Sequence, residues 1–475
     1  MQGDRLRWVL SAFGFWLLVA TRGLWLNQGD FPQVPWFAWG CRVPPVVDLC
    51  LLMCVCGALI GISVTGSESR TNRGSLLLFA GGLFGLLLLD QHRGQPWVYQ
   101  LVLVAIVLAL TPHRLAFKLL RLLTISIYVH SAISKCDASF CTGIGRSFLL
   151  TLSHLIPGPL PATDAWQTGA WPLLFPLGEL LVAMGLIWPA SRRWALWGAC
   201  GMHLLLLVML GPRGLNHSHG VLIWNLFLLV QNLILFSNPL PTVKISDVKS
   251  SAGTGAPKNV IADAGSIRHG ANATKNVGTD AGSFCHVANA TKNVGTDAGS
   301  IRHVATVIDA SGSINESPTR GTQFAKLLIA WAVLWPCLEP FGYCDLWPAW
   351  GLYAQHGEQL TVRVSDRAWR QLPIRWQETA TLTDQRQHGK PLWQLRPQNV
   401  SLQSVAAPLY PQNRFVLGVI LALAREAGLP ADEISATWFD PANRWTGART
   451  SRHLTNLGEM QQAARDCCFN AFPRQ

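Results

Sequence analysis

Four polar side chains recur at helical spacing in an apolar stretch that ends at residue 135. Thr124, Tyr128, Ser131 and Lys135 are four, three and four residues apart, so a helix carries all four on one face. Polar groups are costly against lipid, and they usually face the interior of a bundle or a water-filled cavity. A lysine in such a place can bind an anion, or act as a base when its amine is neutral. The alternative is a lysine whose stem lies in the membrane while its amine reaches the interface.

Two further ionisable residues lie in apolar stretches that follow the lysine. Glu179 lies in "WPLLFPLGELLVAMGLIW", where a carboxylate needs a cation or a hydrogen-bond donor. Its possible partners are Lys135, Arg22 and Arg213. His203 lies in "GMHLLLLVML", where a lone histidine is more often structural than functional. Both residues are candidates for a polar site beside the lysine, and both have a packing alternative.

A short loop between two apolar stretches combines polar and aromatic residues. The loop reads "LLLLDQHRGQPWVYQ" (86–100) and contains His92. Such a cluster can shape a pocket for a polar head group beside the lysine. The alternative is an ordinary interfacial loop with an aromatic belt.

Cys136 and Cys141 follow the lysine directly. An oxidising compartment permits a disulfide at this place, although spacing alone does not specify the partners. The sequence has no Cys-x-x-Cys motif and no Cys/His cluster with zinc spacing. It therefore predicts no metal site.

The composition is typical of a membrane protein. Among 475 residues, 49% are hydrophobic and 13% are charged, whereas ordinary soluble domains carry roughly 25% charged residues. The 21 tryptophans fit a chain that meets two membrane–water interfaces. The net charge of +12 is not concentrated in a basic patch interleaved with exposed aromatics. We therefore assign the charge to topology and lipid contact and exclude nucleic acid as a partner.

Nine apolar runs predict an all-α polytopic membrane bundle of about eight to nine spans. The third and fourth runs are short for a hydrocarbon core of about 30 Å. Either they extend into the loops or they lie within the bundle. The expected helices are 7–26, 45–64, 75–89, 97–111, 117–135, 172–188, 194–211, 220–236 and 323–340.

Basic residues are more numerous at alternate ends of these runs. The richer set includes Arg5, Arg7, Arg70, Arg73, Arg114, Lys118, Arg121, Arg192 and Arg193. The positive-inside rule places this set in the cytoplasm. We therefore expect a cell (inner) membrane protein with a cytoplasmic N-terminus and an extracytoplasmic C-terminal domain. Lys135 then lies at the outer end of its span.

The chain divides into four parts by composition. Three 17-residue repeats begin at Lys258, Lys275 and Lys292, and they contain almost no large apolar residue. Such a segment cannot bury a core and predicts a disordered linker. The parts are the transmembrane bundle 1–236, the linker 237–322, the last transmembrane helix 323–340 and the extracytoplasmic domain 341–475.

The last part has the patterns of a small α+β domain. "QLTVRVSD" (359–366) alternates like a strand, and "EISATWFDP" (433–441) reads as a second strand. "NRFVLGVILALAREAGLP" (413–430) has apolar residues at helical spacing and ends in a helix stop. "GEMQQAARDCC" (458–468) reads as another helix.

The segment "YVHSAISKCDASFCTG" resembles the lysine segment of the vitamin K-dependent gamma-carboxylase-like proteins, the horizontally transferred transmembrane domain family. The shared pattern consists of Tyr128, Lys135, Asp137, Ala138, Phe140 and Gly143. The order that follows is also similar, with Glu179 in the next span, an Arg-Arg pair at the turn and His203 in the span after it. The resemblance covers roughly residues 1–236.

This resemblance implies roles for individual residues. In that family the matching lysine is the base that deprotonates a reduced quinone, and a catalytic histidine lies upstream of it. The resemblance therefore implies that Lys135 is the candidate base, that His92 is a second catalytic candidate, and that a reduced quinone is the cofactor. The substrate-binding residues would be Tyr128, Ser131, Thr124, Glu179 and His203.

A second resemblance leads to a different function. The segment also looks like bacterial DoxX-type and MauE-type proteins, which are small quinone-associated or redox-associated membrane bundles. The alternative is thus a non-catalytic protein, either associated with a redox partner protein or structural, whose bundle anchors the C-terminal domain. Both readings share the lipid bilayer as partner, and the sequence leaves open whether the protein is an enzyme.

Overall fold

The computed structural model describes residues 2–26, 31–66, 69–155, 169–237, 319–387 and 390–474. The described chain is mostly helical and has a small antiparallel sheet near its C-terminus. The 17-residue repeats lie outside these ranges, as does the linker predicted for 237–322, except for Ser237 and residues 319–322 at its two ends.

The helices of the first part follow the predicted apolar runs. They are α1 (Gln2–Ala20), α2 (Arg22–Trp25), α3 (Val46–Val64), α4 (Arg70–Leu89), α5 (Pro96–Leu110), α6 (His113–Ile133), α7 (Ala138–Thr142), α8 (Ile144–Leu155), α9 (Leu174–Ile187), α10 (Arg192–Leu210), α11 (His219–Phe236) and α12 (Arg320–Leu334). Each of the nine predicted runs is helical. The first run is divided into α1 and the short helix α2, and α7 and α8 belong to the connection between two runs.

Within the described ranges, six helices are long and apolar enough to cross a membrane. They are α3, α4, α6, α10, α11 and α12, the last together with the 3-10 turn that extends it to Phe341. α5 is apolar but shorter, and so is α9 even when the 3-10 turn before it is included, from Trp171 to Ile187. α1 has sufficient length, but its first two turns carry three charged residues. The protein is therefore an integral membrane protein, and six of the nine predicted runs meet this criterion of length and composition in the described ranges.

The two short runs have different explanations. α4 begins at Arg70, five residues before the predicted start, because the Ser69 side chain caps it by accepting a hydrogen bond from the Asn72 amide at 3.0 Å. α5 has only fifteen residues, and twelve of them are buried. It is surrounded by other helices and need not match the thickness of a bilayer.

The C-terminal part consists of a five-stranded antiparallel sheet and five helices. The strands are β1 (Gln359–Ser365), β2 (Thr381–Gln387), β3 (Lys390–Gln394), β4 (Ile434–Phe439) and β5 (Ser451–Leu454), in the order β2-β3-β1-β4-β5. The helices are α13 (Asp366–Gln371), α14 (Ile374–Thr379), α15 (Pro397–Val405), α16 (Asn413–Glu426) and α17 (Leu457–Arg465). The two predicted strands and the two predicted helices are thus present.

α16 is buried on nearly all sides, although its sequence is amphipathic. Twelve of its fourteen residues are buried, because one face packs on the sheet and the other meets the bundle. The Phe415 ring, for example, lies 5.2 Å from the His92 ring of the α4–α5 connection. The helix ends where the sequence predicted. Gly428 has a φ of +61°, and the Leu429 amide donates to the Ala424 carbonyl at 2.9 Å.

Buried ion pairs attach the C-terminal part to one end of the bundle. Asp48 at the start of α3 accepts hydrogen bonds from Arg93 and from Arg474, the penultimate residue of the chain. Arg414 of α16 donates to Asp345 through both terminal nitrogens, and to the Gln91 side chain at 3.0 Å. The bundle and the C-terminal part consequently form one compact unit.

The C-terminal part covers the helix ends that carry few basic residues. α4 begins at Arg70 and ends at the connection that contacts α16, while α6 begins beside Arg114 and ends beside Lys135. Lys135 therefore lies at the covered end of the bundle.

Candidate functional site

The polar face of α6 is turned into the bundle. The exposed fractions are 0% for Thr124, 3% for Tyr128, 4% for Ser131 and 2% for Lys135. Leu122 and Ile133, which lie on other faces of the same helix, are more than 40% exposed. The helix therefore buries its polar residues and exposes part of its apolar surface, as expected for a helix in lipid.

Lys135 forms an ion pair with Glu179 inside the bundle. Its Nζ lies 2.8 Å from both carboxylate oxygens of Glu179, which belongs to α9. The same Nζ donates to the Ser131 hydroxyl at 2.6 Å and lies 3.1 Å from the Ser131 carbonyl oxygen. The three donors of an ammonium group are thus engaged within the bundle. Only 3% of the lysine side chain is exposed, so the amine does not reach an interface.

Tyr128 and His203 form a second pair, two helical turns before Lys135. The Tyr128 hydroxyl lies 2.7 Å from His203 Nε2 and accepts a hydrogen bond from Asn232 Nδ2 at 2.6 Å. His203 Nδ1 lies 3.1 Å from Asn225 Oδ1, and the Asn225 amide nitrogen donates to the Val221 carbonyl. Because Asn225 Oδ1 is an acceptor, His203 Nδ1 donates, and a neutral His203 then accepts the tyrosine proton at Nε2.

Thr124 belongs to a chain of side-chain amides and not to this pair. Its hydroxyl accepts from Gln231 Nε2 at 2.9 Å, and Gln231 Oε1 accepts from Gln100 Nε2 at 3.1 Å. Gln100 in turn accepts from the Trp224 indole at 2.6 Å. The Thr124 hydroxyl is therefore used for packing between helices. Thr124 does not line the cavity that five other predicted residues share, which is described next.

One cavity of about 60 Å³ brings the two pairs together. Its polar lining consists of Tyr128, Ser131, Lys135, Glu179, His203, Asn225 and Tyr353. The rest of the lining is apolar and comes from α6, α8, α9, α10 and α11 and from Leu352 in the connection before β1. A polar cavity of this volume has room for water. Five of the seven predicted catalytic and binding residues thus meet at one place.

His92 does not belong to this cavity, contrary to the prediction for the 86–100 loop. Its Nε2 lies 3.0 Å from the Pro408 carbonyl and 3.1 Å from the Ser401 hydroxyl, both in the C-terminal part. Burial lowers the pKa of His92 to about 4. The loop turns toward α15 and α16 because Asp90 caps it by accepting from the His92 amide. His92 therefore lies at the junction of the two parts, away from the cavity.

Cys136 and Cys141 are free thiols in the part of the chain that the structure describes. Both line a separate cleft of about 720 Å³, together with Trp171, Arg444 and Trp445. Burial raises the pKa of both thiols. The structure therefore offers no disulfide between them.

A charged cluster lies next to the lysine and joins α6 to the C-terminal part. His356 Nδ1 lies 2.9 Å from Asp137, its Nε2 lies 2.8 Å from Glu339, and Arg444 donates to Glu339 at 2.5 Å. Burial acts to lower the pKa of His356, but the hydrogen bonds to the two carboxylates outweigh burial and leave the pKa raised. This cluster fixes the segment that leads from α12 to β1.

Sequence reasoning missed four residues at the site. Asn225, Gln231 and Asn232 are polar residues in the apolar run 220–236, and that contrast was a usable signal. Tyr353 had no such signal, because it lies in the connection before β1, far from the bundle in the sequence.

Comparisons with known proteins identify no relative. No family model, no curated protein and no solved structure matches the chain. Within the described ranges, no group of three or more His, Cys, Asp and Glu side chains could hold a metal ion. The function must therefore be inferred from the cavity itself.

Proposed function

We propose that the cavity is a binding site for the head group of a quinol-type ligand, in a membrane protein of the gamma-carboxylase-like type. One observation carries the proposal: the Lys135–Glu179 ion pair and the Tyr128–His203 pair face the same cavity between membrane helices. Ionisable groups at such a place are expensive and usually belong to a ligand site or a proton path. The resemblance of the segment around Lys135 supports the same assignment.

The two pairs would have different tasks. The Lys135 ammonium would stabilise negative charge that develops on a phenolic oxygen, because a buried cation acts strongly in a medium of low dielectric constant. Lys135 can act as a base only after its proton passes to Glu179, whose oxygens lie 2.8 Å away. His203 could take up the Tyr128 proton, since its Nδ1–H is already held by Asn225.

A structural role for the ion pair is the second candidate, and one observation favours it. Every donor of Lys135 is satisfied by Ser131 and Glu179, so the pair needs no ligand to complete it. In that case α6 and α9 are held together by the pair, and the bundle serves to anchor the C-terminal part.

Binding of duroquinol, a quinol without a tail, separates the two candidates. The variant Lys135→Met/Glu179→Leu removes both charges and leaves no unpaired partner. If the cavity binds the ligand, the Kd for duroquinol in this variant should rise by about tenfold or more. The reason is that hydrogen bonds to charged groups contribute roughly 1.5–3 kcal/mol to the binding free energy. Isothermal titration calorimetry in nanodiscs gives the Kd.

The matched control is Lys118→Met, which removes an exposed lysine from the same helix. It should leave the Kd unchanged. A folded double variant that binds duroquinol as tightly as the wild type would overturn the ligand site and establish the structural pair.

We further propose that the C-terminal part faces the extracytoplasmic side. The ends of α4, α6 and α10 that carry Arg70, Arg114 and Arg192 would then lie in the cytoplasm, in accord with the positive-inside rule. Labelling of Cys468, an exposed thiol in the C-terminal part, with an impermeant maleimide on intact cells should succeed. Labelling only after the cells are lysed would show that the C-terminal part faces the cytoplasm instead.

A further inference from the structure

The cavity is too small for a quinol ring as it stands. An apolar cavity of about 150 Å³ accommodates benzene, whereas the cavity beside Lys135 has about 60 Å³. Part of its wall must therefore move before a six-membered ring can enter. The two pairs and their asparagine partners hold α6, α9, α10 and α11 around the cavity, so the mobile wall comes from α8 or from the connection before β1.

The segment 342–358, which connects α12 to β1, supplies such a wall through Leu352 and Tyr353. Tyr353 is only partly buried as a residue, while its hydroxyl is fully buried. Its ring packs edge-on against Phe148 of α8 at 5.3 Å and against His217 at 5.8 Å. Tyr353 is thus a partly exposed residue that also lines the cavity.

Two features favour movement of Tyr353 out of this closed position. Its φ of +60° lies in the left-handed region, which aromatic residues rarely adopt. Its hydroxyl has no hydrogen-bond partner in the protein among the described residues. Burial and the charge of Glu179 raise the pKa of Tyr353, so the hydroxyl stays neutral. Outward movement would relieve the backbone strain without breaking a hydrogen bond from the hydroxyl to the described part of the protein.

The chain on either side of Tyr353 is fixed. Trp350 is fully buried and its ring lies 4.5 Å from the Tyr99 ring, and His356 is held between Asp137 and Glu339. Movement is therefore confined to the few residues between these two anchors. That arrangement is typical of a short gate hinged at both ends.

We propose that Tyr353 is the gate of the cavity and sets the size of what it admits: water when closed, and a six-membered phenolic ring when Tyr353 turns outward. The ring as ligand rests on the function proposed above, but the gate itself does not. Gly351 follows Trp350 at one end of the hinge. It has no side chain that would have to move when the backbone turns.

Thiol labelling tests the gate without any quinol. Met209 lines the cavity and is fully buried, so the variant Met209→Cys places a thiol inside. Its reaction with methyl methanethiosulfonate is followed at residue 209 by peptide mass spectrometry. Adding Tyr353→Ala should raise the labelling rate by at least about tenfold, because the free energy of local opening is removed.

Two control variants complete the experiment. Tyr353→Phe keeps the ring and removes a hydroxyl that has no partner among the described residues, so the labelling rate should stay close to that of the parent. Tyr343→Ala changes an exposed tyrosine of the same segment and should have no effect. Equal labelling rates in the Tyr353→Ala variant and its parent would overturn the gate.

Duroquinol binding to the same proteins keeps the two proposals apart. A faster association rate in Tyr353→Ala than in the wild type is expected. Fast labelling of residue 209 without any duroquinol binding would uphold the gate and overturn the quinol-type site.

Discussion

A variant in which leucine replaces Asp48 is expected to lose about 3–5 kcal/mol of its free energy of unfolding. Asp48 lies between two buried guanidinium groups and accepts hydrogen bonds from Arg93 on one oxygen and from Arg474 on the other. The side chain of Arg93 is fully buried, and that of Arg474 is 3% exposed. Leucine would leave both cations without a counter-charge, which costs far more than the absence of all three groups.

Titration with sodium dodecyl sulfate in mixed micelles, followed by circular dichroism, measures this free energy. Arg370→Met is the control, because it breaks an ion pair with Asp366 in which the arginine side chain is 71% exposed. Such surface pairs contribute about 0–1 kcal/mol. A loss for Asp48→Leu as small as that of the control would show that the C-terminal end is not anchored by Asp48.

The second large effect is expected for Glu179→Leu, which leaves the Lys135 ammonium buried without its carboxylate. The expected loss is about 3–5 kcal/mol of unfolding free energy. In Lys135→Met/Glu179→Leu most of this loss should be recovered, because two apolar side chains of similar volume replace the pair. The two single effects would then be strongly non-additive, as expected for residues in direct contact.

A double-mutant cycle measures this non-additivity. It uses the same detergent titration on the wild type, both single variants and the double variant. A double variant whose loss equals the sum of the single losses would contradict the direct pair seen in the structure. This measurement bears on packing alone, and the binding experiment on the double variant then decides whether the pair also serves a ligand.

The sequence by itself determined the membrane class and the inward face of α6. Long apolar runs leave few options, since a chain in lipid must satisfy its backbone internally. Helical spacing placed Thr124, Tyr128, Ser131 and Lys135 on one face, and the cost of polar groups in lipid turned that face inward. The strands and the helix stop near Gly428 also follow local rules, because turn and capping residues act on their neighbours in the chain.

Only the tertiary structure decided which of these residues meet. Three cations were possible partners of Glu179, and the packing of α6 against α9 selected Lys135. His92 has the residue type for catalysis but points to Pro408, because the loop that carries it turns toward the C-terminal part. Asp48 and Arg474 are separated by 426 positions, and Tyr353 reaches the cavity from outside the bundle. Spacing fixes geometry only within one element; contacts between elements depend on how their surfaces pack, which no local pattern encodes.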